Sequence, residues 1–465
     1  MTKIRGSRLK LFTADVSPEK QAIGKTNALI QPNHKAYAQL NKHAYFSQSY
    51  TDLHARPFPV SNVPLRVSQV CFLHQEGDSQ AVELAHLHAL CHRYSVNPPL
   101  ANASCFYQKM GEYEIRWERH TEFSSYTFLI HDSGLKPFDC PPVALVPIDW
   151  LEGISGELIA AVHIDALSKD SVTLERDHLR QYFEGQRLMG SELHNGEAII
   201  LSALRLHEDN FNRILLVNSS LNECQSGRVL RALLEIEAYR NMTLLAFPLA
   251  QQVSAKVSKM ESQLAMLLKK QKDIRSSDDE QQQLAELSSM AANIAEIIAS
   301  SRYRFDAGSA YYEMVRSRLA ELEEKDINEL QTFSAFIDRR LSPAYRTVLA
   351  AKRRLDDLSS RVDRASDFLR TRIDMAIEAQ NQALLTSMDK RAQMQFNLQQ
   401  TVEGLSVIVM SYYVLALCKY LLDASSSLGV TFNREVALML LMPVVLISVW
   451  MFSRRIKKSI KKIVP

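Results

Sequence analysis

LSVIVMSYYVLALCKYLL (Leu405–Leu422) and VALMLLMPVVLISVWMF (Val436–Phe452) are the two stretches that decide the fold. The first has 18 residues with one charge, Lys419 near its end, and the second has 17 residues with none. A helix that spans a bilayer needs about 20 predominantly apolar residues, and a terminal lysine can extend its side chain to the headgroups. The pair therefore predicts a two-helix transmembrane hairpin at residues 401–465. A buried core hairpin is the alternative.

The charges around the hairpin predict its orientation. The linker from Asp423 to Glu435 carries one basic residue, whereas six basic residues and no acidic residue follow Phe452. By the positive-inside rule, both termini face the cytoplasm of a two-span protein in the cytoplasmic (inner) membrane. Anionic lipid is the expected partner of this basic tail, whose membrane-surface residues are Arg454, Arg455, Lys457, Lys458, Lys461 and Lys462.

The composition excludes several classes of protein. The chain has 465 residues, 46% of them hydrophobic, and a net charge of +3. It is therefore not a disordered or collagen-like chain, and a dedicated nucleic-acid binder would be more basic. Six scattered cysteines without a C-x-x-C motif predict reduced thiols in a cytosolic compartment. We expect no cleavable signal peptide, since the N-terminus lacks an apolar core, and we expect residues 1–50 to form a loosely ordered arm.

A long helical stalk or bundle is predicted at residues 221–400, where Gly and Pro are rare. We expect Pro248 to kink or end the first helix, Ser277 with Glu280 to cap a second, and Ser342 with Pro343 to start the last. Apolar residues alternate at spacings of three and four, which is typical of packed or supercoiled helices. They fit core packing within the chain, or a coiled coil between the subunits of a homo-oligomer. These residues are Val253, Val257, Met260, Leu264, Leu267, Ile274, Leu284, Leu287, Ala291, Ile294, Ile298, Tyr312, Val315, Leu319, Leu322, Leu355, Leu358, Val362, Ala365 and Leu369.

Residues 51–220 predict an α+β cytoplasmic domain. Strands are expected at 65–74, 105–110, 113–120, 123–131, near Gly190, at 198–206 and at 213–218, with a hairpin turn at Asn195-Gly196. Ser79 is expected to cap a helix that runs to about Tyr94. Several antiparallel strands with few helices indicate a sheet with helices on one face.

Three motifs resemble a bacterial family of uncharacterised membrane-anchored proteins, domain of unknown function 3422. They are HARPFP (His54–Pro59), RWERHTEFSSYTF (Arg116–Phe128) and TVEGLSVIVMSYYV (Thr401–Val414). The resemblance spans most of the chain and implies a membrane anchor, but no agreed activity. The overall order of segments is also similar to that of CorA-type magnesium transporters: an α/β domain, long helices, two C-terminal spans and a basic tail. Those carry Gly-Met-Asn in the outer linker, whereas the linker here reads DASSSLGVTFNRE.

Ionisable residues concentrate at one candidate functional cluster: His54, Arg56, Arg116, Glu118, Arg119, His120 and Glu122. If the strand continues through Glu122, then Glu118, His120 and Glu122 share a face with Arg116. A carboxylate beside a histidine can support acid–base chemistry or bind a ligand. The favoured alternative is a salt-bridged sheet face or a subunit contact. For His54 and Arg56, anchoring of a proline-rich loop is favoured.

Signals for a metal or cofactor are weak. His88 and His92 share a helix face with no third ligand evident, and the chain has no phosphate-loop, dinucleotide or nucleophile-elbow motif. We therefore predict no metal and no cofactor. In the first span, we expect Ser406, Ser411, Tyr412 and Tyr413 to mediate helix packing rather than to line a pore.

Three hypotheses for the function follow. The leading one is a non-enzymatic scaffold, sensor or oligomeric assembly that faces the cytoplasm at the inner membrane, with an unknown protein partner. The second is a divergent CorA-like divalent-cation channel. The third is an enzyme that uses Glu118 and His120.

Overall fold

The computed structural model describes residues 40–44, 46, 62–75, 79–131, 136–271, 276–327, 330–426 and 434–460. Its strands are β1 (Leu65–Leu73), β2 (Cys105–Met110), β3 (Tyr113–Arg119), β4 (Phe123–Ile130), β5 (Glu157–Ser168), β6 (Met189–Leu193), β7 (Ala198–Leu206), β8 (Asn212–Asn218) and β9 (Lys325–Asp326). Its helices are α1 (Gln80–Arg93), α2 (Ile148–Glu152), α3 (Arg176–Tyr182), α4 (Glu223–Leu244), α5 (Ala246–Lys270), α6 (Ser277–Glu321), α7 (Phe333–Ser426) and α8 (Arg434–Ile460).

The strands form one sheet in the order β2-β3-β4-β1-β5-β8-β7-β6-β9. Neighbouring strands are antiparallel except for β5 and β8, which are parallel. Asn195 and Gly196 both have positive φ in the turn between β6 and β7, as the Asn-Gly pair predicts. We call this sheet, together with α1 to α4, the head.

Helices cover both faces of the sheet, so the expectation of one covered face was wrong. Leu87 and Leu90 of α1 pack with Trp117 and Trp150 on one face. On the other face, Leu230 and other residues of α4 pack against strands β5 and β8, and the carboxyl-terminal part of α6 and the start of α7 join this core. The reason is visible in β1, where seven successive residues are buried. A strand buried on both sides needs a layer on each face.

The bundle of α5, α6 and α7 up to residue 400 is called the stalk below. Heptad residues from the three helices pack together in one buried cluster that includes Val257, Leu264, Ile294, Leu358 and Leu369. Tyr312, Val315 and Leu322 instead join the core of the head. The described heptad residues therefore pack within the chain, while Ile274 lies outside the described residues.

Two predicted helix boundaries were wrong. Pro343 does not begin a helix but lies inside α7, which starts ten residues earlier at Phe333. A proline inside a helix costs about 3 kcal/mol, but burial of Phe333, Ile337 and Leu341 in the head core offsets this at about 1.5–3 kcal/mol each. The cap of α6 is Ser276, whose side chain accepts a hydrogen bond from the Asp279 N–H.

The break near Pro248 follows the prediction closely. Helix α4 ends at Leu244 and α5 begins at Ala246, so Pro248 lies in the first turn of α5. A proline is tolerated there because the amide groups of a first turn have no partner within the helix.

The two apolar stretches lie on α7 and α8. Both helices are long and apolar enough to cross a membrane, with mean hydropathies of 1.8 and 2.4 over their most apolar windows, and 6% of each window is buried. The core helices of a soluble protein would instead be mostly buried. The fold is therefore an α/β head, a long helical region and two apolar C-terminal helices that suggest a membrane protein.

Candidate functional site

Strand β3 divides the predicted cluster between the two faces of the sheet. Trp117 is buried against α1, while Arg116 and Glu118 lie on the opposite face, as strand alternation requires. The Arg116 Nη2 donates to Glu118 Oε1 at 2.8 Å, and Arg116 is 5% exposed. Burial lowers the pKa of the Arg116 guanidinium, and the Glu118 carboxylate opposes that shift. Arg116 is buried and Glu118 half-buried, so loss of the Glu118 charge should cost more than breaking an exposed ion pair.

Arg119 lies at the end of β3 and binds a carboxylate on α1. That carboxylate, Glu83, is buried and also accepts hydrogen bonds from Trp117 Nε1 at 3.2 Å and Ser124 Oγ at 2.6 Å. The His74 Nε2 lies 3.3 Å from its other oxygen. Four side chains of the sheet therefore converge on one carboxylate and hold α1 in place. Glu83 was not predicted as a functional residue, although it shares its helix face with Leu87 and Leu90 at spacings of four and seven.

Glu122 and His120 lie in the turn between β3 and β4, since β3 ends at Arg119. Both residues nevertheless contact the helices on the side of the sheet that Arg116 and Glu118 face, since the His120 ring lies 6.4 Å from the Tyr239 ring of α4 and Glu122 pairs with α6. His120 stacks on Phe123, with ring centroids 4.3 Å apart. Glu122 is buried and pairs with Arg304 of α6 at 2.7 Å.

Two tyrosines of α6 also lie close to Glu122. Burial together with the negative charge of the Glu122 carboxylate raises the pKa of both Tyr303 and Tyr311. The β3–β4 turn is thus fastened to the middle of α6. We call this set, Glu122 with Tyr303, Arg304 and Tyr311, the head–stalk joint.

A network of charges between α4 and α6 continues the joint. Glu235 of α4 accepts from Arg231 Nε at 2.7 Å and also pairs with Arg318 of α6. Arg318 in turn pairs with Glu321. These contacts fix the second layer of the head to the stalk. His54 and Arg56, the remaining members of the predicted cluster, lie outside the described residues.

A second polar cluster, on the α1 side of the sheet, was also not predicted. Ser68 Oγ lies 2.8 Å from His163 Nδ1, and His163 Nε2 lies 3.8 Å from Asp209 Oδ2. Burial lowers the pKa of His163 to about 4, so the ring is neutral at pH 7. Ser68 is completely buried and accepts from the Val143 amide at 3.3 Å, so its hydroxyl is shielded from solvent. The signal was the polar pair His163 and Asp165, two residues apart in an apolar run.

Two of the three histidines of α1 bind backbone carbonyls. His86 Nε2 lies 2.8 Å from the Trp150 carbonyl and His88 Nε2 lies 3.2 Å from the Pro99 carbonyl. Burial lowers the pKa of His86, which favours its neutral form. In the part of the chain that the structure describes, no three His, Cys, Asp or Glu side chains are grouped to hold a metal ion.

The two apolar helices pack on each other through one side of α7. Ser411 is 2% exposed and donates to the Val407 carbonyl at 2.7 Å, and Val445 is the buried residue among the described side chains of α8. Tyr412 and Tyr413 are both more than 60% exposed. Arg454 lies over the Trp450 ring at 4.6 Å. The side chains of Lys457 and Lys458 are not described, and Lys461 and Lys462 lie outside the described residues.

Comparison with known proteins gives one match. Residues 41–460 match the family described as protein of unknown function (DUF3422). No curated protein and no solved structure matches the chain. Because the match covers most of the sequence, including the head, the stalk and both apolar helices, this chain belongs to the DUF3422 family.

Proposed function

We propose that the protein is a non-enzymatic scaffold or sensor that holds the head at a fixed distance from the inner membrane, on its cytoplasmic side. The observation that carries this proposal is helix α7. Its first turns lie in the core of the head at Phe333 and Ile337, and the same helix continues through the apolar stretch to Ser426. Its 94 residues correspond to about 140 Å of uninterrupted helix.

The head–stalk joint supports this function because it connects the head to that helix through α6. Arg304, which binds Glu122, lies on the helix that packs most extensively on α7. A ligand or partner protein on the head could therefore shift the stalk without a hinge. The residues Arg116 to Glu122 would serve as a mechanical connection rather than as catalytic groups.

Membrane retention and topology test the proposal. We expect alkaline carbonate to leave the full-length chain in the membrane pellet, and fluorescent fusions at both ends to report the cytoplasm. The basic tail should increase binding to vesicles that contain anionic lipid, with Arg454→Gln and Arg455→Gln as the matched variant. Release of the intact chain by carbonate, or fusions that report opposite compartments, would overturn the proposal.

A CorA-like cation channel is the alternative. It is favoured by the direct passage of a long helix into the first apolar stretch, followed by a second stretch and a basic tail. The outer linker lacks Gly-Met-Asn, and neither stretch contains an acidic residue. Ion flux in proteoliposomes decides between the two, since a scaffold gives no flux of Mg²⁺ above that of empty vesicles. An enzyme that uses Glu118 and His120 would lose its activity in Glu118→Gln and His120→Ala.

A further inference from the structure

The membrane-proximal part of α7, which includes the end of the stalk, is not covered by another element among the described residues. Ile373 is the last buried residue before it, and residues 374–402 are all exposed. These 29 residues form about 44 Å of single helix. Helices owe most of their stability to packing of an apolar face, so a bare helix of this length calls for a covering partner.

An apolar stripe follows this segment with a period of seven residues. Its members are Ile377, Leu384, Leu398, Leu405 and Tyr412, and Arg391 occupies the one remaining position. The five apolar members are between 48% and 69% exposed. On a straight helix, a strict seven-residue repeat drifts slowly around the surface. The repeat stays on one face only when two or more helices wind into a left-handed supercoil.

The stripe continues without a break into the first apolar stretch. Tyr412, near its middle, is 69% exposed, while the adjacent Ser411 is buried at 2% in the contact with α8. Helix α8 therefore covers the side of Ser411 and leaves Tyr412 uncovered. In a bilayer, a hydroxyl at this depth has no water to bond to, and polar side chains there commonly bond across to another helix.

We propose that the stripe Ile377–Tyr412 binds the same stripe of a second copy of this chain, as a parallel coiled coil that begins in the stalk and ends inside the membrane. The proposal rests on the membrane anchoring proposed above. The bilayer holds every copy in one orientation and at one depth, so identical residues of two copies lie at the same height. An unrelated partner would have to reproduce this period in both water and lipid.

The available area suits a stable dimer. Burial of a large aliphatic side chain covers roughly 100 Å² of accessible surface. The stripe and the flanking Met388 and Val402, both more than half exposed, would thus bury about 700 Å² per subunit. Stable interfaces bury about 800 Å² per partner.

Arg391 gives the interface a fixed register. A single polar residue at a core position of a coiled coil lowers its stability but selects one alignment and one number of strands. In a parallel dimer the two Arg391 side chains would lie side by side and repel each other. We therefore expect Arg391→Leu to strengthen self-association.

Disulfide cross-linking in membranes tests the proposal. In a full-length chain whose exposed Cys140 and Cys224 and half-buried Cys105 and Cys418 are replaced by Ser, one new cysteine is placed at Leu398 or at Phe396. These positions are two residues apart, at nearly the same height, and 63% and 66% exposed, but Phe396 lies off the stripe. After mild oxidation, we expect at least tenfold more covalent dimer from Leu398→Cys than from Phe396→Cys.

Yields are scored only in the carbonate-resistant pellet. Equal dimer yields from both positions, or monomer from both, would overturn the pairing while leaving the anchor intact. Absence of the chain from the pellet would overturn the anchor and the pairing together. The mass of the detergent-solubilised particle gives a second readout, because Arg391→Leu should raise the dimer fraction at least severalfold, and a fall in that fraction would exclude the proposed interface.

Discussion

Replacing Glu83 by Gln is expected to destabilise the head strongly. The substitution keeps the size of the side chain and its ability to accept from Trp117 and Ser124, but it removes the charge that pairs with Arg119. Glu83 has 2% of its side chain exposed and Arg119 has 19%. Breaking a buried ion pair by removing one partner costs about 3–5 kcal/mol. Since Arg119 retains some contact with water, we expect the lower end, about 3 kcal/mol.

The expected change is large enough to measure by thermal unfolding. For a domain of 150–250 residues, each kcal/mol shifts the midpoint by about 2–4 °C, so Glu83→Gln should lower it by about 6–12 °C. The assay is tryptophan fluorescence of the full-length chain in detergent, because the Trp117 indole donates to Glu83 and reports its loss directly.

Asp149→Asn is the matched control, because it also removes a carboxylate that pairs with α1. Asp149 pairs with Arg93 of α1, but the two side chains are 62% and 44% exposed, and exposed pairs contribute little. We expect a midpoint close to that of the unmodified chain. If both variants shifted the midpoint by the same small amount, Glu83 would not hold α1 on the sheet.

Two further pairs of substitutions should have contrasting effects on the stability of the fold. Burial lowers the pKa of His163 to about 4 and raises the pKa of Asp165 to about 6. The neutral His163 therefore stabilises the fold above about pH 6.5, and this contribution is lost as the pH falls toward 4. The contribution of protonated Asp165 is instead lost as the pH rises through 6. Between pH 4 and pH 6, the Asp165→Asn variant keeps His163 and should lose stability on acidification, whereas the His163→Gln variant keeps Asp165 and should gain stability. Each change should reach up to about 1.4 kcal/mol per pH unit. Urea unfolding curves that respond to pH in the same way for both variants would contradict these opposite pKa shifts. A Cβ at Gly308 would lie 2.9 Å from the Ala246 Cβ, while a Cβ at Gly404 meets nothing within 4 Å. Gly308→Ala should therefore lower the thermal midpoint and Gly404→Ala should not, and a fall for Gly404→Ala alone would contradict the packing of α6 on α5.

Local patterns in the sequence predicted most elements correctly. The capping Ser79, the Asn195-Gly196 turn and the hairpin of β2 and β3 are each set by residues close together in the chain. Strand β5 was not predicted, although it is the longest strand. It lies at the centre of the sheet, is buried on both faces, and therefore lacks the polar–apolar alternation that marks an exposed strand.

The candidate site shows the limit of that local information. Alternation along a strand correctly placed Arg116 with Glu118, but the strand ends at Arg119, and the partners of the following residues lie far away in the sequence. Glu122 binds Arg304, and Arg119 binds Glu83. Such pairs depend on how the helices dock on the sheet, which spacing in one segment does not reveal.

The distance between two points on α7 tests most directly whether one unbroken helix joins the head to the membrane. Spin labels at the exposed Arg353 and Gln393, in a full-length chain reconstituted into lipid nanodiscs and diluted with unlabelled chain, should lie about 60 Å apart by the rise of an α-helix. We expect one narrow distance distribution from pulsed dipolar spectroscopy. A broad distribution, or one centred well below about 50 Å, would show that α7 bends or breaks and that the head is not held at a fixed distance from the bilayer.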